Sequence, residues 1–199
     1  ACTGGPVPDG IAMAAAGDSL ITQAISHSPG QDLLDLKSVI SAADVRFTNL
    51  EMLLNDFEGY PAADSGGAWL STSPDMIEEL KWMGFNLFAC ANNHTMDWCW
   101  EGLRAHMQAL EQAGVTWAGA GEDAARARAP AYLDTACGKV ALVGLTTTIS
   151  NSGRAGQSRV DCQGRPGANA LRYSGGNYNR RDAARILDAI REARDRADW

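Results

Sequence analysis

Residues 85–97 read Phe-Asn-Leu-Phe-Ala-Cys-Ala-Asn-Asn-His-Thr-Met-Asp, an apolar run that ends in a polar cluster. Two other stretches have the same form. Residues 11–16 are apolar and precede Gly17-Asp18, and the run 44–48 precedes Asn49-Leu50-Glu51. Runs of this length and composition predict buried strands of a parallel sheet.

The polar clusters are predicted to meet at one edge of that sheet. In an open α/β sheet the carboxyl ends of the strands share an edge, and ligands bind there. One Asp, one Glu, one Asn and one His would therefore converge, namely Asp18, Glu51, Asn93 and His94. Oxygen and imidazole donors in this mixture suit a hard or borderline divalent metal. Taken singly, each residue is also explained by a turn, a solvated loop or a cap.

Predicted strands and helices alternate along the chain. Strands are expected near residues 12–16, 45–49, 85–91, 115–118, 131–133 and 139–145, and helices near residues 32–41, 74–83, 98–113 and 180–197. This order predicts one layered α/β domain with a largely parallel or mixed sheet flanked by helices. A long Gly- and Arg-rich loop is expected at 146–178. Because the last helix ends where another strand is due, we expect residues 1–199 to be the N-terminal portion of a single domain, incomplete at its C-terminus.

The charge balance limits the class of partner. The formal net charge is −7, with 45% hydrophobic and 21% charged residues, which is ordinary for a globular domain. An acidic chain is not expected to bind nucleic acid, whose phosphates require a Lys/Arg surface. No run approaches the roughly 20 apolar residues of a transmembrane helix, and no signal peptide is visible, so membrane anchoring is not predicted from this chain.

Cysteine usage favours a reducing compartment. The five cysteines are odd in number, irregularly spaced and without a Cys-x-x-Cys pair: Cys2, Cys90, Cys99, Cys137 and Cys162. Free thiols and a cytoplasmic location are the favoured interpretation, with one or more disulfides as the alternative.

Four stretches carry a resemblance to a known family. They are Gly17-Asp18, Ala43-Asp44-Val45 with residues 49–51, Gly84-Phe85 with residues 91–97, and Gly114-Val115 with residues 119–121. In order and spacing, over about residues 12–145, they resemble the bacterial capsule-synthesis proteins of the poly-γ-glutamate CapA/PgsA type. Residues 164–172 also resemble a segment of some members. The resemblance implies a calcineurin-like metallophosphatase fold, and it makes an extracytoplasmic location an alternative.

The resemblance also implies two divalent ions, with Mn, Zn, Fe and Ca as candidates. Asp18 would bind one ion, Glu51 would bridge both, and Asn93 would bind the second through its carbonyl oxygen. Asn49 could orient Glu51 as a hydrogen-bond donor. The family's later His-containing segments do not occur in residues 1–199, so we expect this chain to bind metal weakly.

His94 and Asp97 are the expected catalytic residues. The resemblance implies that His94 faces the substrate, where it could donate a proton or a hydrogen bond to the leaving group. Asp97 follows closely enough to orient the His94 ring.

The implied function is metal-dependent hydrolysis. Two ions would activate a water for attack on a phosphoester, which the fold favours, or on a carboxylated, γ-glutamyl-like amide, which the family favours. The alternative is a non-catalytic protein that binds capsule polymer or takes part in its export. A generic α/β binding module without metal would require the three clusters to be coincidental.

Four arginines in the irregular segment suggest an anion clamp: Arg154, Arg159, Arg165 and Arg172. Guanidinium groups bind carboxylate or phosphate through two parallel hydrogen bonds. We expect Arg165 and Arg172, which flank Gly167, to hold an anionic group of a small-molecule or polymer substrate next to the metals. A mobile, solvated loop is the alternative.

Three further predictions concern the other two histidines and an aromatic run. His27 follows Asp18 closely and could reach the active edge. His106, in the middle of a predicted helix, is expected to be solvated or at the edge of the core. The run Trp98-Cys99-Trp100 is expected to pack against the protein, with a wall of the cleft as the alternative.

Overall fold

A computed structural model describes residues 10–65 and 67–199. The elements, in chain order, are β1 (Met13–Ser19), α1 (Gln31–Ser41), β2 (Val45–Leu50), β3 (Leu53–Leu54), β4 (Ser71–Thr72), α2 (Met76–Met83), β5 (Leu87–Ala89), α3 (Cys99–Ala113), β6 (Thr116–Ala118), β7 (Ala120–Gly121), α4 (Ala124–Arg128), β8 (Ala131–Thr135), β9 (Gly138–Leu142), β10 (Gly167–Ala168), β11 (Tyr173–Ser174), β12 (Asn177–Tyr178) and α5 (Arg180–Arg196). The predicted alternation of strands and helices is confirmed.

The main sheet has four parallel strands in the order β1-β2-β5-β6. Asp18 is in register with Asn49 across β1 and β2, and Asn49 is in register with Ala89 across β2 and β5. The register of β1 shifts between Ala15 and Asp18. The ends of three strands therefore lie side by side, as the sequence predicted.

The core lies between the sheet and helices α1 to α3. Buried residues at helical spacing on α3, Leu103, Met107 and Leu110, contact Leu50 and Phe88 from the sheet in one cluster. Helices α2 and α3 end at Gly84 and Gly114, as predicted, because both glycines adopt the left-handed conformation that glycine tolerates, with φ of 105° and 65°. Replacing a fully buried leucine such as Leu110 by alanine would cost about 2–5 kcal/mol.

The prediction of a buried strand is wrong for β1. Met13 is 57% exposed, and Asp18 is also exposed. On the neighbouring part of the fold, Leu36 and Val39 of α1 are 52% and 70% exposed. The physical reason is that β1 occupies an edge of the described sheet and, among the described elements, makes its extensive contacts with β2 alone, so that little packs on its faces. An Ala-rich apolar run does not distinguish an edge strand from a central one.

Smaller differences concern the second half of the chain. The strands expected near 131–133 and 139–145 form an antiparallel pair, β8 and β9, outside the main sheet. The segment 146–178 is largely irregular, as predicted, but contains the short strands β10, β11 and β12. Two of these pair with each other, and β10 pairs with β7.

The described cysteines Cys90, Cys99, Cys137 and Cys162 are free thiols, whereas Cys2 lies outside the described residues. The helices within residues 10–65 and 67–199 are all too short or too polar to cross a membrane.

Candidate functional site

Asn49 joins two carboxylates at the end of the parallel sheet. Its side-chain amide donates to Asp18 Oδ1 at 2.8 Å and also to Glu51 Oε2. The strand register explains this arrangement, because Asp18 on β1 lies directly beside Asn49 on β2. Glu51 follows β2 at once and is 8% exposed. This geometry allows Asn49 to orient the Glu51 carboxylate, the role expected of it from the sequence.

The loop after β5 is held on β2 by Asn92. The Asn92 amide donates to the carbonyl oxygen of Leu50 at 2.9 Å, and its side-chain oxygen accepts the His94 N–H at 3.0 Å. Thr95 Oγ1 donates to the Cys90 carbonyl oxygen at 2.8 Å. These bonds fix the turn that delivers His94 to the edge of the sheet.

His94 lies between two carboxylates. Its Nδ1 is 2.7 Å from Asp97 Oδ2, and its Nε2 is 3.7 Å from Glu51 Oε1. Asp97 is 1% exposed and also accepts the Leu70 N–H at 2.8 Å. A carboxylate that accepts two hydrogen bonds places the ring proton of His94 on Nδ1, so Nε2 is the nitrogen left for proton exchange.

The electrostatics of the site centre on Glu51. Burial, and then the nearby carboxylate of Asp18, raise the pKa of Glu51, while His94 and Asn49 oppose that change. A buried acid beside a second acid favours a bound proton or a bound cation. The site is therefore prepared for positive charge between the two carboxylates.

A cavity of about 240 Å³ adjoins this network. Asn93 and Asp97 lie in its wall, together with parts of the segments 62–65 and 148–153. The structure thus joins Asp18, Asn49, Glu51, His94 and Asp97 in one hydrogen-bonded or ion-paired network, and it places Asn93 in the wall of the neighbouring cavity.

Arg165 and Arg172 lie together, but in a different cavity of about 210 Å³. Neither the Asp18–Glu51 pair nor the His94–Asp97 pair is among the described residues that line it. Arg154 also lines this cavity, whereas Arg159, expected in the same clamp, forms an exposed ion pair with Asp161. Sequence reasoning missed Arg128 and Arg185, which reach the cavity from α4 and α5. Nothing in their local sequence sets them apart from other helical arginines.

His106 corrects a prediction. It is 3% exposed rather than solvated, and its Nδ1 accepts the Leu54 N–H at 3.0 Å. Complete burial lowers the pKa of His106 to about 4. The sequence did contain a signal for burial, because His106 shares a helix face with Leu103 and Leu110.

The loop that carries His27 is attached to α2. The carboxylate of Glu79 accepts the N–H groups of Ile25 and Ser26 at 2.9 and 2.8 Å, and His27 contributes to the lowered pKa of Glu79 after these hydrogen bonds.

The expected packing of residues 98–100 is confirmed: the Trp98 ring meets Phe57 edge-on, and Trp100 packs against the core.

Two curated relatives were found in Sinorhizobium fredii (strain NBRC 101917 / NGR234), the uncharacterized proteins y4uA and y4sH. They are 37% and 36% identical to the chain over 192 residues, which is 95% of this chain and 41% of each relative. The chain therefore spans about two-fifths of the length of these relatives.

Residues 12–199 match the family described as Bacterial capsule synthesis protein PGA_cap. This match confirms the resemblance found in the sequence. The mixed α/β architecture, with a parallel sheet flanked by helices, agrees with the metallophosphatase-like fold expected of that family. The chain belongs to the bacterial capsule synthesis family PGA_cap.

Proposed function

We propose that this chain supplies the catalytic residues of a metal-dependent hydrolase, acting on a phosphoester or on a carboxylated, γ-glutamyl-like amide. The observation that carries the proposal is the buried His94–Asp97 pair beside two carboxylates that share the amide of Asn49. A paired, oriented histidine next to acids at the carboxyl edge of a parallel sheet is an arrangement suited to proton transfer.

His94 is the proposed proton donor to the leaving group. Asp97 holds the proton on Nδ1 and stabilises the protonated ring, so Nε2 presents its proton toward the reacting bond. The Leu70 N–H holds Asp97 in place, because it donates to the same carboxylate oxygen at 2.8 Å. The ring orientation is thus fixed before substrate binds.

Asp18 and Glu51 are the proposed ligands of a divalent ion, with Asn93 as a neutral oxygen donor. When bound, such an ion would supply Lewis acidity toward the substrate and toward water. The donor chemistry supports this assignment: the pKa of Glu51 is raised by burial and by Asp18, and a cation would relieve that repulsion.

The number of donors bears on the affinity of the site. Within residues 10–65 and 67–199, no group of three or more His, Cys, Asp or Glu side chains is arranged to hold a metal ion. Two carboxylates and one amide bind a divalent cation less tightly than a full ligand set. We therefore expect this chain to bind free Mn²⁺ or Zn²⁺ weakly in calorimetric titration, and Glu51→Gln to weaken that binding further.

The test of the function is an assay of the purified chain with added Mn²⁺, Zn²⁺ or Ca²⁺. The substrates are bis(p-nitrophenyl) phosphate and γ-glutamyl-p-nitroanilide, which separate phosphoester from amide hydrolysis. His94→Gln should lower turnover by about 10²–10⁴-fold, whereas His27→Gln, at an exposed histidine outside the network, should leave it unchanged. Equal turnover by the unaltered chain and by a folded His94→Gln variant would contradict the proposal, because the reaction would then not use His94.

A further inference from the structure

The cavity lined by Arg165 and Arg172 concentrates positive charge in an acidic protein. The net charge of the chain is −7, yet five of its 17 Lys and Arg side chains line this one cavity of about 210 Å³. They are Arg128, Arg154, Arg165, Arg172 and Arg185, and we call this space the arginine cavity. They come from α4, from the irregular segment before α5, and from α5 itself.

One acid faces these five cations. Asp182 lines the arginine cavity and binds Arg172 through two hydrogen bonds of 2.6 and 2.8 Å. This pairing raises the pKa of Arg172 and lowers that of Asp182. Among the described residues the other four arginines form no ion pair across the cavity, so it retains an excess of about four positive charges at neutral pH.

The arginines of the cavity act on one another. Burial lowers the pKa of Arg154, and the charges of Arg172 and Arg165 lower it further, while Asp182 opposes them. Repulsion between neighbouring cations therefore adds to the effect of burial at Arg154. An anion in the cavity would reduce this repulsion, which favours anion binding.

Three of the five arginines, those that frame the cavity, are held in position. Arg165 Nε donates to the Arg154 carbonyl oxygen at 3.0 Å, and Arg128 Nη1 donates to the Ala124 carbonyl oxygen at 2.8 Å. Arg172 is fixed by Asp182. Held guanidinium groups lose little conformational entropy when a ligand arrives.

Arg154 and Arg185 have the most free donors. Arg154 makes one long hydrogen bond, from Nε to the Asn151 carbonyl oxygen at 3.5 Å. Arg185 makes no hydrogen bond or ion pair to the described residues, although it lines the arginine cavity. The guanidinium groups of Arg154 and Arg185 are therefore open to a carboxylate or phosphate, whereas that of Arg172 is already bound by Asp182.

We propose that the arginine cavity is an anion-binding site separate from the His94 network, and that it takes a ligand with at least two carboxylate or phosphate charges. Arg154 and Arg185 contact the ligand directly, and Arg128, Arg165 and Arg172 frame it. The proposal does not depend on hydrolysis, because none of these residues belongs to the proposed catalytic network.

The test is calorimetric titration of the chain with two probes, inorganic diphosphate and tricarballylate. We expect one of them to bind at least tenfold more tightly than chloride or acetate. A preference for diphosphate identifies a phosphate ligand, and a preference for tricarballylate identifies a polycarboxylate. Equal, weak binding of all four anions would overturn the proposal.

Matched variants locate the binding. Arg185→Gln should weaken binding of the preferred probe about tenfold or more. Arg185→Lys should recover part of that loss, because a lysine keeps the charge but lacks the paired donors of the planar guanidinium group. Arg159→Gln is the control, since Arg159 lies in the irregular segment with Arg154 and Arg165 but pairs with Asp161 in solvent, so its replacement removes one positive charge outside the arginine cavity. Arg185 is exposed on α5, so its variants should fold even if Arg154→Gln does not. An equal loss in Arg159→Gln and Arg185→Gln would show that only net charge matters, and would also overturn the proposal.

Discussion

His94 and His106 are both buried, at 7% and 3% exposed, but their surroundings differ. His94 lies between Asp97 and Glu51 at the edge of the sheet. His106 lies inside α3, where its Nδ1 accepts a backbone N–H from Leu54. The first ring is flanked by two carboxylates, whereas burial lowers the pKa of the second to about 4. Burial alone thus says little about chemical function, and the neighbouring charges decide it.

The largest expected difference between the two histidines is in catalysis. If the hydrolase proposal is right, His94→Gln should lower kcat by about 10²–10⁴-fold, the usual contribution of a positioned acid or base. His106→Gln should leave kcat of the folded protein within about twofold, because His106 does not contact the network. Steady-state kinetics on both variants measures this, and equal losses of kcat would break the comparison.

Stability should show the opposite order. His106→Ala removes the acceptor of the Leu54 N–H and leaves a void in the core, at a cost of about 2–4 kcal/mol. His94→Ala should cost about 1 kcal/mol, because Asp97 borders the 240 Å³ cavity, from which water can replace the lost partner. Urea unfolding of both variants gives these values. A larger loss for His94→Ala would mean that the loop after β5, rather than α3, is the more stabilising region.

The pH dependence of stability sharpens the comparison. The folded-state pKa of His106, about 4, lies below the unfolded value of 6.5, so the folded state resists its protonation. Stability from this group is present above pH 6.5 and is lost as pH falls from 6.5 to 4, by up to about 1.4 kcal/mol per pH unit. The His106→Gln variant should lack this contribution to the pH dependence of the free energy of unfolding. Urea unfolding at pH 7, 6 and 5 measures this change. If the free energy of unfolding depended on pH equally in the unaltered protein and in His106→Gln, a neutral, buried His106 would be contradicted.

The smallest effect is expected at the exposed end of the His94 network. Asp18→Asn should change the free energy of unfolding by no more than about 0.5 kcal/mol, because Asp18 is exposed and its hydrogen bond to Asn49 can be replaced by water. Chemical denaturation measures this change against Glu51→Gln. A loss above 1 kcal/mol for Asp18→Asn would show that the network stabilises the fold as one unit.

Local signals predicted much of the fold. The apolar runs identified β2 and β5, and Gly84 and Gly114 identified the ends of α2 and α3, because only glycine is at ease in the left-handed conformation there. Asp18, Glu51 and His94 lie at one edge of the sheet because parallel strands align their carboxyl ends, whereas Asn93 lies in the wall of the neighbouring cavity. The edge position of β1 was not predictable from its composition.

The environment of individual side chains was harder to predict than the elements. His106 was expected to be solvated or at the edge of the core, although its helical spacing from Leu103 and Leu110 indicates the core itself. The arginine cavity joins residues of three segments, and Arg128 and Arg185 enter it only through the packing of α4 and α5. Long-range packing of this kind has no local signature in one sequence.

The exposed position of β1 has a consequence for the behaviour of the protein at high concentration. In the described part of the chain, Met13–Ser19 pairs on one side with β2, and its other side offers N–H and C=O groups to a further strand. Unpaired edges of smooth, apolar strands are where protein chains add to one another during aggregation. Asp18 is the charged residue of this strand, so two copies that aligned there would bring like charges together. The carboxylate of Asp18 therefore places a negative charge on the exposed edge, where it opposes in-register pairing of two copies of β1.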